Sequence, residues 1–273
     1  MLTYKTIYLR KPLKIFFFLV IALSAKAQNL THDVGVFVGV ASIQTDYGQR
    51  SESLSSYGNS AISISFVHYL HFFDVNNRWN SDDGIANHLM IKSELNIITK
   101  EEFKHHGAYI EGNSDLAKQL RAMTGTISIF NVGVSAEYYF KGLREFMFPY
   151  SELKWNPYLS FGLKYSSYKN TLTSELGDWE TDITVLPVKY RSPGNLNVGN
   201  GRAFSLNLGF GTRYKLSEKF DLAANIYGQY FLSDAVDGLQ ANVLENKNNE
   251  WLMSLQVGLI YHLNFSGGIF CKK

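Results

Sequence analysis

The chain has 273 residues, 45% of them hydrophobic, 18% charged and 15% aromatic, with a single cysteine, Cys271. One cysteine excludes an internal disulfide framework. Five of the 26 basic residues (Lys5, Arg10, Lys11, Lys14 and Lys26) and none of the 24 acids fall in residues 1–27, so the rest of the chain carries 21 bases against 24 acids, net −3, and has no electrostatic motive for binding nucleic acid.

Residues 1–27 read as a secretory signal peptide: a basic start, a short apolar run at Ile15–Leu23, and Ala25-Lys26-Ala27 as an A-x-A cleavage site ahead of Gln28. The run is well short of the roughly 20 residues a spanning helix needs. No cysteine follows it, so a lipid anchor is not indicated. Residues 28–265 then form one domain and 266–273 a short tail that carries Cys271 as an exposed thiol.

Within that domain we expect eight strands, each two-faced with period two. The first, His32 to Ile43, sets Val34, Val36, Val38 and Val40 against Gly35, Phe37, Gly39 and Ala41. The second, Ser60 to Phe73, is clean through Ile62, Ile64 and Phe66 and blurs at "VHYLHFF". The third, Asn87 to Thr99, opposes Leu89, Ile91, Leu95 and Ile97 to His88, Lys92, Glu94 and Asn96. The fourth, Thr126 to Phe140, opposes Val132, Val134, Ala136, Tyr138 and Phe140 to Asn131, Gly133, Ser135 and Glu137. Its start, with Ile127 and Ile129, runs in the other parity and suggests a bulge.

The fifth, Asn156 to Tyr168, sets Leu159, Phe161, Leu163 and Tyr165 against Ser160, Gly162, Lys164 and Ser166. The sixth, Arg202 to Leu216, sets Phe204, Leu206, Leu208, Phe210 and Tyr214 against Ser205, Asn207, Gly209, Gly211 and Arg213. The seventh, Phe220 to Leu232, opposes Leu222, Ala224, Ile226, Tyr230 and Leu232 to Asn225 and Gln229. The eighth, Trp251 to Phe265, is the clearest: every odd position is apolar, and Ser254, Gln256, Gly258, His262 and Asn264 lie between. Strands this long, greasy on one face and wet on the other, fit an antiparallel barrel in a membrane, and the even number agrees. The 17 Tyr and 19 Phe suit aromatic girdles at the membrane surfaces.

The links after strands one, three, five and seven are long (44–59, 100–125, 169–201 and 233–250), whereas "KLSEKF" between six and seven is a tight turn. Long loops belong outside and short turns in the periplasm, so parity and loop length place the N-terminus in the periplasm. The turns at 74–86 and 141–155 are longer than usual. A soluble lipocalin-like barrel is the alternative, with its apolar faces inward. Faces of Gly, Ser, Asn and Gln, poor in Lys and Glu, suit a narrow wet interior better than a soluble exterior.

Five charges fall on the inner faces: Lys92, Glu94, Glu137, Lys164 and Arg213. Side chains fill an eight-stranded barrel, so they read as an internal polar plug rather than an ion path. Catalysis needs a nucleophile beside a base, and His262 has only Ser254 on its own strand, four pairs of residues away. His105 and His106, with Glu101, Glu102, Glu111 and Asp115, lack metal-ligand spacing. No phosphate-loop, nucleotide or calcium-loop motif is present. No catalytic residue, metal or cofactor is therefore assigned. Asp115 to Met123 suggests a short loop helix.

Three stretches resemble the PorG-like small outer-membrane barrels associated with type IX secretion and gliding: "VGVFVGVASIQTDYG" (Val34–Gly48), "NPYLSFGLKY" (Asn156–Tyr165) and "RYKLSEKFDLAANIYGQYFLSDAVDGL" (Arg213–Leu239). The last holds Phe231, Asp234 and Asp237 in an F-x-x-D-x-x-D pattern. The long third loop is a departure from that family. Gln256, Gly258, Tyr261 and Leu263 also resemble the C-terminal insertion signal of outer-membrane barrels, although the chain runs on to Lys273. The resemblance implies an OmpA- or OmpX-like up-and-down meander in the bacterial outer membrane. It further implies a non-catalytic anchoring role, with membrane lipid, the barrel-assembly machinery and periplasmic secretion proteins as partners. The rivals are a surface barrel whose loops bind ligands, and a lipid-modifying enzyme.

Overall fold

The computed structural model describes residues 31–45, 47, 60–72, 84–148, 150–241 and 249–263. The leader, Asn264, Phe265 and the tail with Cys271 lie outside the described residues. Eight strands run in order: β1 (Thr31–Gln44), β2 (Ser60–His71), β3 (Leu89–Lys104), β4 (Met123–Tyr139), β5 (Trp155–Ser174), β6 (Gly199–Lys215), β7 (Phe220–Phe231) and β8 (Trp251–Leu263). Each pairs antiparallel with the next, and β8 returns to pair with β1. The fold is thus an all-β, eight-stranded antiparallel transmembrane barrel, an up-and-down meander. Closure matters physically, because a sheet without edges satisfies its backbone groups where no water can.

The barrel is inside out relative to a soluble one. Along β8, Trp251, Met253, Leu255, Val257, Leu259 and Tyr261 face outward, and Leu252, Ser254, Gln256, Gly258, Ile260 and His262 face in. The other strands follow suit, and Leu208 on the outer wall is 66% exposed. Aromatic pairs mark two rims. At the turn rim, Trp155 lies 4.8 Å from Tyr214 and Phe220 5.1 Å from Tyr261. At the loop rim, Tyr165 lies 5.2 Å from Phe204, and Tyr230 is in register with Trp251. Ten steps separate the rims along β5 (Trp155 to Tyr165) and along β8 (Tyr261 to Trp251). At about 3.3 Å per step and a tilt of about 40°, that is a belt about 25 Å tall, the height of a membrane's apolar core. Among the described residues, no Asp, Glu, Lys or Arg faces outward between the rims.

Above the loop rim the outer wall turns polar at Thr99, Ser128, Ser167, Lys169, Asn200 and Arg202, yet β3 to β6 continue as strands. They are longer there than alternation in hydropathy suggests, because the outward positions leave lipid and stop being apolar. The third link is correspondingly shorter than 169–201, since β5 runs to Ser174 and β6 begins at Gly199. The bulge expected near Ile127 is not there. Strand β4 keeps one parity from Met123 to Tyr139, and Ile127 and Ile129 point inward beneath an apolar cap. The irregularity lies instead in β3, between Lys100 and Phe103. The blurred end of β2 keeps its alternation, with Val67, Tyr69 and His71 inside.

Both mouths are stoppered. At the turn side, helix α2 (Leu143–Met147) pushes Leu143 and Phe146 into the lumen, where both are fully buried. Lys215 Nζ donates to the carbonyls of Phe146 (3.0 Å) and Phe148 (2.5 Å), holding the helix C-terminus where a cation is favoured. At the loop side, Tyr47, Phe103, Leu120, Met123, Ile127, Leu186, Tyr190, Val236 and Leu239 join one apolar cluster. Leu120 comes from α1 (Asp115–Ala122), which also buries Ala122 and is N-capped by Ser114.

Candidate functional site

The lumen itself is the densest concentration of polar chemistry, and it is layered. Nearest α2 lies a charged layer built on Asp33 of β1. His71 Nε2 lies 2.8 Å from its Oδ2, His262 Nδ1 2.8 Å from its Oδ1, and Arg213 Nη1 3.2 Å from its Oδ2. His262 Nε2 lies 3.1 Å from Asp221 Oδ2. His262 Nδ1 thus hydrogen-bonds Asp33 while Nε2 stands at ion-pair distance from Asp221, so the ring lies between the two carboxylates. The Arg213 guanidinium rests 4.1 Å from the Tyr69 ring centroid and 5.3 Å from that of Tyr139.

The next layer joins four of the five charges read from the sequence. Lys92 Nζ lies 3.4 Å from Glu137 Oε1 and 3.7 Å from Glu94 Oε2, and Lys164 Nζ lies 3.1 Å from Glu94 Oε2. Lys164 also sits 4.2 Å from the Tyr227 ring centroid, and Tyr139 donates its hydroxyl to Glu137 at 2.7 Å. Arg213, the fifth, belongs to the Asp33 layer instead. Across the two layers, the buried carboxylates Asp33, Glu94, Glu137 and Asp221 stand against Lys92, Lys164, Arg213 and the ring of His262. Buried charges persist only when paired in this way.

Above them runs a ring of amides and hydroxyls that visits every strand but β1. Gln256 donates to Ser63 (2.8 Å), Asn96 donates to Ser63 and Ser65 (2.9 Å each), and Asn131 donates to Asn96 (2.8 Å). Ser166 donates to Asn131 (2.6 Å), and Gln229 donates to Ser205 (2.9 Å) and Asn131 (3.2 Å). The two charged layers, this ring and the two stoppers put buried side chains at successive levels from the turn side to the loop side.

Asp33 and Asp221 are members of the charged layer that hydropathy alone passes over, although parity carries the signal. Asp33 shares a face with Gly35 and Phe37, and Asp221 shares one with Asn225. Of the insertion-signal residues, Gln256 belongs to the amide ring and Tyr261 to the outer aromatic rim. Gly258 makes room for Phe37, since a Cβ there would stand 2.4 Å from the ring's Cγ. Leu263 ends β8 half-buried.

In the F-x-x-D-x-x-D stretch, Phe231 is buried in the cap and Asp237 Oδ1 accepts from the Leu239 amide at 2.8 Å. Asp234 is half-buried. Ser254 donates to the Val40 carbonyl and makes no pair with His262. His105 is buried against Tyr47, ring centroids 4.8 Å apart, whereas His106 is half-buried. Burial, with Lys189 and His106 nearby, pushes the His105 imidazole down to about 3. Among the described residues no three His, Cys, Asp or Glu side chains converge as metal ligands.

Neither a protein-family model nor a curated protein matches the chain. Solved structures similar to it include Neisserial surface protein A (12% identity, TM-score 0.46, covering 85% of this chain and 97% of that one). A major outer membrane protein from Thermus thermophilus gives 13% identity, a TM-score of 0.45 and 85% and 99% coverage. The attachment invasion locus protein Ail of Yersinia pestis gives 8% identity, a TM-score of 0.41 and 85% and 98% coverage. At these scores the architecture stands on this chain's own strand register, and the function on its own residues.

Proposed function

We propose that the chain is a non-enzymatic barrel of the bacterial outer membrane that serves as a sealed anchor rather than as a pore. The carrying observation is a lumen packed with paired charges and an amide ring between α2 and the apolar cap. In this reading the signal peptide is removed on export, the loop side faces outward and the turn side faces the periplasm. The exposed apolar residues of the turn side, Ile85 (70% exposed) and Tyr150 (86%), offer a docking surface for a periplasmic partner.

The assignment of that partner to the type IX secretion and gliding machinery rests on the sequence resemblance alone. Affinity purification of a tagged barrel should recover ring components of that machinery, and the I85D/Y150D exchange should lose them while the barrel stays in the outer membrane. Recovery of the barrel alone, with secretion and gliding intact in a deletion strain, contradicts the assignment.

A second reading is supported by the strand extension above the loop rim, which carries α1 and the exposed Val188 (72%) on a folded cap. A surface barrel of that kind should lose binding to its external ligand on Val188→Asp, with periplasmic partnerships untouched.

A further inference from the structure

Resting on the outer-membrane reading, we propose that Lys169 and Arg202 hold the phosphate of an outer-leaflet lipid headgroup against the outer wall of β5 and β6. Both side chains face outward and are exposed. Lys169 is in register with Asn200, so Arg202 is its diagonal neighbour on the same face. Diagonal positions are about 7–8 Å apart, within reach of two long cationic side chains converging on one phosphate.

Height supports the same partner. Arg202 lies two residues beyond Phe204 and Lys169 four beyond Tyr165, and those two rings form the loop rim. On a tilted strand this places them about 5 and 10 Å above the apolar belt, at the level of the headgroups. The positions in register with them on β4 and β5 are neutral: Ser128 with Lys169, and Ser167 with Arg202. On the β7 side the nearest acid in sequence is the half-buried Asp234, two residues past Leu232, whose amide donates to the Phe204 carbonyl. Neither cation has an ion-pair partner among the described residues. The acid standing on the same wall farther along β3, Glu102, is already paired with Lys104 at 3.5 Å. Two unneutralised cations side by side, directly above an otherwise uncharged lipid-facing wall, call for an anion supplied by the membrane.

The test uses the full-length barrel folded into detergent micelles with radiolabelled bis-phosphorylated lipid A, or with the same lipid dephosphorylated. After gel filtration the wild type should retain the phosphorylated lipid about tenfold better, the equivalent of one charge-assisted hydrogen bond. The K169Q/R202Q variant should fall to the dephosphorylated level, and K169R/R202K should hold it. K154Q, which removes a cation at the turn side, should behave as wild type. Equal retention by wild type and K169Q/R202Q overturns the proposal. So does displacement by excess inorganic phosphate as complete as that of the double exchange, which assigns the pair to free phosphate. All variants are first checked for heat-modifiable migration and vesicle insertion. A chain that does not insert sinks the membrane reading, whereas one that inserts and retains lipid regardless of residues 169 and 202 sinks only the lipid site.

Discussion

Asp33 and His262 face each other across the seam where the first and last strands close the barrel, with Oδ1 and Nδ1 2.8 Å apart. The same ring reaches Asp221 on β7, with Nε2 3.1 Å from Oδ2, so one side chain of β8 ties both flanking strands. Replacing it removes the ring that stands between two buried carboxylates and the hydrogen bond it makes to Asp33.

His262→Leu should therefore cost about 3–5 kcal/mol, the usual result of removing one member of a buried ion network. It should appear as a lower urea midpoint for unfolding from bilayers, followed by tryptophan fluorescence. A midpoint equal to that of the wild type removes the seam role.

Gly258 and Phe37 are in register, with the ring occupying the space that a side chain at residue 258 would take. Gly258→Val should cost about 1–3 kcal/mol by overpacking. Added to Phe37→Ala, it should cost much less than the sum of the two single effects, because the ring it displaces is gone. Simple additivity in a double-mutant cycle contradicts the contact.

The cap should respond to acid through His105. Its folded-state value is about 3 against an ordinary 6.5, so the opened cap binds the proton and the closed cap does not. Cap stability is then fully present above pH 6.5 and is lost as pH falls from 6.5 toward 3. At pH 5 the loss is about 2 kcal/mol, a roughly thirtyfold easier opening. Protection factors of the amides at 105–110 (the intrinsic rate at each pH divided by the observed rate) should fall by about thirtyfold between pH 7.5 and 5, and His105→Leu should flatten that dependence.

Planar bilayers test the stoppers. The wild type should give no steady conductance, because the paired charges and the amide ring close the lumen independently of α2. Phe146→Ala alone should leave it closed. Large, steady channels in the wild type contradict the packed interior.

Period-two hydropathy locates all eight strands and their lipid faces, since a lipid-facing wall is mostly apolar between its rims and, among the described residues, carries no Asp, Glu, Lys or Arg there. It fails where the solvent on either face changes. Ile127 and Ile129 look like a slip in β4 because the lumen becomes apolar under the cap. Strand β5 looks shorter because Ser167, Lys169, Thr171 and Thr173 face water above the rim. The inner charges Lys92, Glu94, Glu137 and Lys164 are readable from parity, but their division from the Asp33 and Arg213 layer depends on axial height across the barrel, which no single strand encodes.

The most direct test of the inside-out barrel is a nitroxide scan of β8 from Trp251 to Leu263 in lipid vesicles, in a Cys271→Ser background. Labels at 253, 255, 257 and 259 should be open to oxygen and closed to a polar nickel chelate, and those at 254, 256 and 260 should be immobile and closed to both. Chelate access at 255 or 257, or oxygen access that does not alternate, contradicts the account.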